Sequence, residues 1–244
     1  MVKRKLTPWF YALFALAFTV LLCAAAYLLG GSEFDLRHGN TSPVSAPSGK
    51  GINTVVLDAG HGGEDGGASS AQGLLEKDVN LAVALYLRDY LEAAGIPVVM
   101  TRTEDKLLYD RSVDFDGRKK VLDLNARLHT AQAVPESLFV SIHMNSFPQK
   151  KYSGTQVWYS VKDPRSMEAA SAVQSRSILL DPSNHRRIKP AGSNIFLLDR
   201  LETPGILIEG GFMSNTHEAE LLSTEEYQKK LAFILFTGIV NAMA

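Results

Sequence analysis

From residue 52 onward, short apolar runs alternate with longer stretches in which apolar residues return at helical spacing. The runs Thr54–Asp58, Pro97–Thr101, Leu138–His143, Thr155–Ser160, Asn194–Asp199 and Ile206–Glu209 predict strands. Pro97 fits the second of these because proline is tolerated at a strand's first position. Between the runs, Asp78–Ala93 carries Val79, Leu81, Ala82, Val83, Leu85, Tyr86, Tyr90 and Leu91, a broad helical stripe that Gly95 terminates. Leu122–Ala133, Arg165–Leu179 and Thr224–Ala242 predict three more helices, and the charged, aperiodic stretch Thr103–Lys120 predicts a long loop. Strands alternating with helices define an α/β fold, a mostly parallel twisted sheet with helices on both faces.

The pattern changes at the amino terminus. Lys3, Arg4 and Lys5 precede an uncharged stretch from Leu6 to Gly31 that is long enough to cross a hydrocarbon core as a helix. Residues 1–31 therefore read as a membrane anchor or a signal peptide, and the basic residues in front place the rest of the chain outside the cytoplasmic membrane. Ala24, Ala25 and Ala26 supply small residues of the kind that mark a cleavage site, so both readings stay open. Residues 32–51, rich in Gly, Ser, Pro, Asn and Thr, read as a flexible linker, which leaves 52–244 as one exported domain. The single cysteine, Cys23, lies in the apolar segment, so that domain is built without disulfides.

Charge adds one exclusion. Lys and Arg total 25 against 26 Asp and Glu, a net charge of -1, which provides no bulk attraction for nucleic acid. The basic run His185–Lys189 reads as a solvated loop, with the alternative that it holds anionic groups of a substrate or partner.

Three of the predicted strands run into residues that bind metals or move protons: Asp58-Ala59-Gly60-His61, Ser141-Ile142-His143 and Leu207-Ile208-Glu209. In open α/β sheets the carboxyl edge is where sites form, so three such ends imply one site. Taken singly, His61 reads as a turn histidine and His143 as a core residue; together they read as imidazole ligands. Imidazole plus carboxylate donors suit zinc. Asp58, Glu64, Asp65, Glu76 and Asp78 all lie near His61 as the third donor, and the residues alone do not choose among them. Glu76 also reads as a helix-start acid that favours the dipole. Glu209 would be costly to bury unpaired, and its alternatives are a raised pKa suited to proton transfer or an ion pair with an arginine.

The motifs Val56-Leu57-Asp58-Ala59-Gly60-His61-Gly62-Gly63, Glu76, Ser141-Ile142-His143-Met144-Asn145 and Ile208-Glu209-Gly210-Gly211-Phe212-Met213-Ser214-Asn215 resemble the zinc-dependent N-acetylmuramoyl-L-alanine amidases in this order. The resemblance spans about Ile52 to Ala244. It implies that His61, Glu76 and His143 bind Zn2+, that Glu209 is catalytic, and that the substrate is the muramic acid–L-alanine amide of peptidoglycan. The single domain behind an apolar segment, the charged stretch before Leu124-Asn125-Ala126-Arg127 and the run Lys151–Gln156 are similar to the germination-specific amidases of spore formers, which implies a spore cortex substrate. A vegetative wall amidase, a stem-peptide zinc peptidase and a non-catalytic peptidoglycan-binding module are the alternatives. Two residues depart from the family: Ala59 replaces the usual proline, which predicts a looser turn, and Gly210 replaces a bulkier residue, which predicts a less firmly held backbone beside Glu209. His38, His129, His185 and His217 fall outside the motifs, and the Thr103–Lys120 loop is the candidate surface for an activating protein partner.

Overall fold

The computed structural model describes residues 51–109, 112 and 116–244. The predicted anchor and linker lie outside the described residues, among which no helix is long and apolar enough to cross a membrane.

Six strands form one sheet: β1 (Thr54–Ala59), β2 (Val98–Met100), β3 (Ser137–Asn145), β4 (Gln156–Tyr159), β5 (Lys189–Pro190) and β6 (Gly205–Phe212). Their spatial order is β2-β1-β3-β6-β4-β5. β2, β1, β3 and β6 pair in parallel, and β4 joins β6 antiparallel. The helices are α1 (Glu76–Ala93), α2 (Lys119–Gln132), α3 (Pro164–Ser177), α4 (Phe196–Arg200), α5 (Thr216–Leu222) and α6 (Glu225–Met243). Asp163, Asn215 and Thr224 cap α3, α5 and α6, each side chain accepting a first-turn amide. Thr224 is a true cap, worth about 1 kcal/mol.

Strand alternation divides the core. Val55, Leu57, Leu138, Val140, Ile142, Ile206 and Ile208 face α1, α3 and α6, where Val83, Leu87, Val173, Leu231 and Leu235 are fully buried against them. Val56 and Phe139 face the other way, onto Leu128 and Ala131 of α2 and Leu197, Leu198 and Leu201 at α4. Asp58, Ser141, His143 and Glu209 share the parity of this second, thinner face.

Asn194–Asp199 corrects an expectation: the predicted strand is the short helix α4. A four-residue apolar run cannot distinguish strand from buried helix. Here Leu197, Leu198 and Leu201 fall on one side of a single turn and fill the thin core, a placement that extended backbone would not give. β5 and α5 are not anticipated by the sequence pattern, being too short for any periodicity to register.

Candidate metal centre

β1 ends at Ala59, and the chain then turns at Gly60 into His61, whose φ of 61° is left-handed. That strained turn is held by two buried arginines. Arg127 donates from Nη1 to the Ala59 carbonyl at 2.8 Å and from Nη2 to the His61 carbonyl at 2.7 Å. Arg102 donates from Nε to the Ala59 carbonyl at 2.8 Å and from Nη2 to the Gly60 carbonyl at 2.9 Å. Ala59 therefore does not loosen the turn as its departure from proline predicted; its carbonyl is doubly bound.

Beneath the loop Asp58 is fully buried, accepting from Thr101 Oγ1, Ser141 Oγ and Arg127 Nη1, each at 2.7 Å. Burial alone would raise its carboxyl, but Arg127 and the two hydroxyls outweigh that and hold it below the ordinary carboxylate range. Asp58 is thus engaged away from the histidines. Glu64 ion-pairs with Lys119 at 2.7 Å. Asp65 Oδ2 approaches His61 Nδ1 to 2.9 Å, an ion-pair distance without hydrogen-bond alignment.

The chain returns from the glycine-rich loop by backbone pairs from Glu76 N to Ala68 O and from Lys77 N to Gly66 O, which start α1 at Glu76 itself. Glu76 Oε1 lies 3.2 Å from His61 Nε2 and 3.0 Å from His143 Nδ1. It also accepts from Met144 N at 3.1 Å, an amide left free because β1 has already ended on that edge of β3. Oε2 accepts from Ala68 N at 2.8 Å. Burial would raise Glu76, but the two imidazoles outweigh it and hold the carboxylate far below its usual range. Burial likewise would lower His61, and Glu76 and Asp65 raise it instead.

One ligand atom from each of His61, Glu76 and His143 lies within 4.8 Å of the other two. Two imidazole nitrogens and a carboxylate oxygen make a donor set that suits a zinc-type cation with a further position open. The cradle is tight: a Cβ on Gly60 would run into the His143 ring. Gly60→Ala is therefore expected to displace that ring and weaken metal binding by about 10–100-fold with the fold retained, as read by competitive metal titration alongside circular dichroism.

His143 and Glu209 are register partners on adjacent parallel strands, two and three residues before their strands end, so they are interior rather than terminal positions. Glu209 Oε2 is buried without a hydrogen-bond partner. Burial pushes its pKa up to about 7, with Glu76 adding and His143 opposing. The arginine considered for it is absent among the described residues, since Arg102 and Arg127 are committed to the loop carbonyls and Asp58. Gly210 is not loosely held either: a Cβ there would meet Leu231 and Met144 at 2.9 Å, so the absence of a side chain lets β6 sit close against the core. A cleft of about 230 Å³ opens onto His61 and His143, walled by Leu124, Ile195, Phe196 and Leu207.

A family model described as N-acetylmuramoyl-L-alanine amidase matches residues 55–241. The chain belongs to that family. The amidase is 37% identical to the germination-specific N-acetylmuramoyl-L-alanine amidase of Bacillus subtilis, over 98% of this chain and 95% of that one. Among solved structures it resembles the CwlD amidase from Clostridioides difficile in complex with the GerS lipoprotein, at 38% identity and a TM-score of 0.73, over 78% of this chain and 98% of that one. AmiC2 of Nostoc punctiforme, also an N-acetylmuramoyl-L-alanine amidase, matches with a TM-score of 0.64 at 30% identity, over 79% and 98%. Membership of the family makes the amidase a hydrolase of the N-acetylmuramoyl–L-alanine amide of peptidoglycan. Of the four predicted site residues, His61, Glu76 and His143 converge and Glu209 lies beside them; the structural roles of Arg102, Arg127 and Asp58 are not visible in the sequence, although Arg127 stands in a quoted motif.

Proposed function

We propose that the amidase is a zinc enzyme of the spore cortex in which His61, Glu76 and His143 bind Zn2+ and Glu209 transfers the proton. The convergence of both imidazoles on one Glu76 oxygen, with an unpartnered carboxylate in the next strand, carries this reading. Bound there, zinc supplies a Lewis acid that polarises a carbonyl and acidifies water. Glu209, buried beside the ligands without a hydrogen-bond partner, accepts a proton from the attacking water and returns it to the leaving L-alanine amine. The loop clamp by Arg102 and Arg127 fixes His61 so that the ligands are pre-positioned rather than ordered by the metal.

The cortex assignment rests on the named activity of the Bacillus subtilis relative and on a match that runs nearly the full length of both chains. On the same basis the domain boundaries are proposed as 1–31 for an anchor or signal, 32–51 for a linker and 52–244 for the catalytic domain, with export across the membrane. The Clostridioides difficile relative is solved in complex with the GerS lipoprotein, which supports a protein partner here too, with the Thr103–Lys120 loop as its proposed contact. The described part of that loop reaches the site: Asp105 accepts from Gly63 N at 2.7 Å and from Lys77 Nζ at 2.6 Å.

Purified protein is expected to hold stoichiometric zinc, and His61→Ala to lose it, as measured by metal analysis after dialysis. Digestion of isolated cortex and vegetative wall, followed by mass spectrometry, should release stem peptides with intact L-alanine amino termini, more readily from cortex. Cleavage within the peptide would instead identify a peptidase, and equal rates on both walls would remove the cortex assignment.

A further inference from the structure

A second cavity, of about 300 Å³, is lined by residues of β3, β4 and β6 that neighbour His143 and Glu209 along and across the sheet. Its position follows from strand register. Gln156 of β4 is the direct partner of Glu209, and Asn145 stands two residues beyond His143 on β3. Gln156 is about 5 Å across from Glu209 and Asn145 about 6.6 Å along the strand from His143, so the cavity begins roughly 5–7 Å from the reacting groups.

Its walls are aromatic. Phe147 packs on Tyr152 at 5.5 Å between ring centroids and on Phe212 at 6.2 Å, and Trp158 closes the β4 side. Phe147 and Tyr152 remain 48% and 38% exposed, a concentration of apolar surface that marks a contact site. Three of the four rings carry a cation. Arg186 lies 4.6 Å over the Phe212 ring, Lys189 Nζ 5.1 Å from Trp158 and Lys151 Nζ 5.6 Å from Tyr152. Arg186 is further fixed by donating from Nε to the Ser153 carbonyl at 2.6 Å. The nearby acid, Glu218, is turned inward onto the Gly154 and Phe212 amides.

We infer that this cavity is the subsite for the acidic stem peptide, with Arg186 and Lys189 holding a free carboxylate beyond L-alanine while the rings pack on the peptide's apolar atoms. The inference rests on the amidase reading and fixes which side of the scissile bond lies here. The N-acetylated glycan is uncharged, whereas stem peptides carry free carboxylates after their first residue, and guanidinium and ammonium groups select carboxylates. An extended chain advances about 3.3–3.6 Å per residue, so a distance near 7 Å reaches the second residue and about 10 Å the third. The basic run around His185–Lys189 is thereby divided: Arg186 and Lys189 face the cavity, and the exposed Arg187 does not line it.

The test uses the zinc-loaded full chain and two muramoyl peptides that differ only in whether the stem carboxylates are free or amidated. Wild type should prefer the free acid, the preference shrinking with added salt. Lys189→Gln, at an exposed position that does not endanger folding, should lower kcat/KM about fivefold on the free acid, through KM, and leave the amidated substrate unchanged. Arg186→Gln should repeat the pattern. Equal losses on both substrates, or no loss on either, would overturn the subsite. Release of peptide from neither substrate by wild type would overturn the underlying amidase reading, and the subsite with it.

Discussion

Glu209→Ala should leave zinc bound and lower turnover on muropeptides by about 10²–10⁴-fold, the usual contribution of a positioned general base. The carboxylate stands beside the ligand set and not within it, so metal analysis and rate should separate: stoichiometric zinc with almost no product. Glu209→Gln sharpens the result because it keeps the shape and removes only the proton acceptor. Near wild-type turnover in either variant would show that another group moves the proton. The same residue has a stability signature. With chelator present, its folded pKa of about 7 lies above the ordinary value of 4.5, so the folded state binds the proton more tightly than the unfolded chain. Its contribution is fully present below pH 4.5 and is lost as pH rises through 7. Above that range, chelated Glu209→Gln should be the more stable protein, by up to roughly 3 kcal/mol, and the difference should vanish at about pH 4 in urea melts.

Arg127→Met should cost about 3–5 kcal/mol of stability, as the removal of one partner from a buried ion pair typically does. Four groups lose this donor together: the buried Asp58 carboxylate, Asp123 at 2.8 Å and the carbonyls of Ala59 and His61. Lysine should rescue little, because one ammonium cannot span two carboxylates and two carbonyls as a guanidinium fork does. Asp58 has a folded pKa below its ordinary 3.8, so its contribution exists above that value and is lost as pH falls through the folded pKa. Much of the penalty is an uncompensated charge, which Arg127→Met combined with Asp58→Asn should relieve. Urea denaturation of the four proteins at about pH 7 measures this. A single-variant cost under about 1 kcal/mol would mean that water replaces the arginine and that the clamp is dispensable.

The sheet and the two histidines are legible in the sequence because apolar runs alternate regularly with helical stretches, and two of those runs lead into His61 and His143. Glu209 is legible for the same reason, and its lack of a partner bears out the reading that burial would raise its pKa. Glu76 is not separable from Glu64 or Asp65 on residue type. What selects it is the backbone return onto Ala68 and Gly66, a long-range feature of the loop that leaves no local mark. Asp58 reads in sequence as a possible donor, and only the arrival of Arg127 from α2 shows that its charge is taken. Asn194–Asp199 misleads for a different reason, since one turn of helix and a short strand bury the same apolar residues. The cavity beside Glu209 is invisible in the sequence because its walls come from separated segments, one of which reads as a solvated basic loop.

The order in which the donors appear along the chain has a consequence for when the ion can be captured. His61 and Glu76 are joined by a short loop and can meet early, whereas His143 arrives only when β3 has docked on β1, and Glu209 only when β6 has docked on β3. A nascent or unfolded chain therefore offers at most a weak two-donor chelate. On the proposed ligand set, high-affinity uptake would wait for β3 to dock on β1, a non-local strand pairing of the slow kind. A chain threaded unfolded through a membrane would carry no ion with it and would draw its metal from the compartment in which it folds.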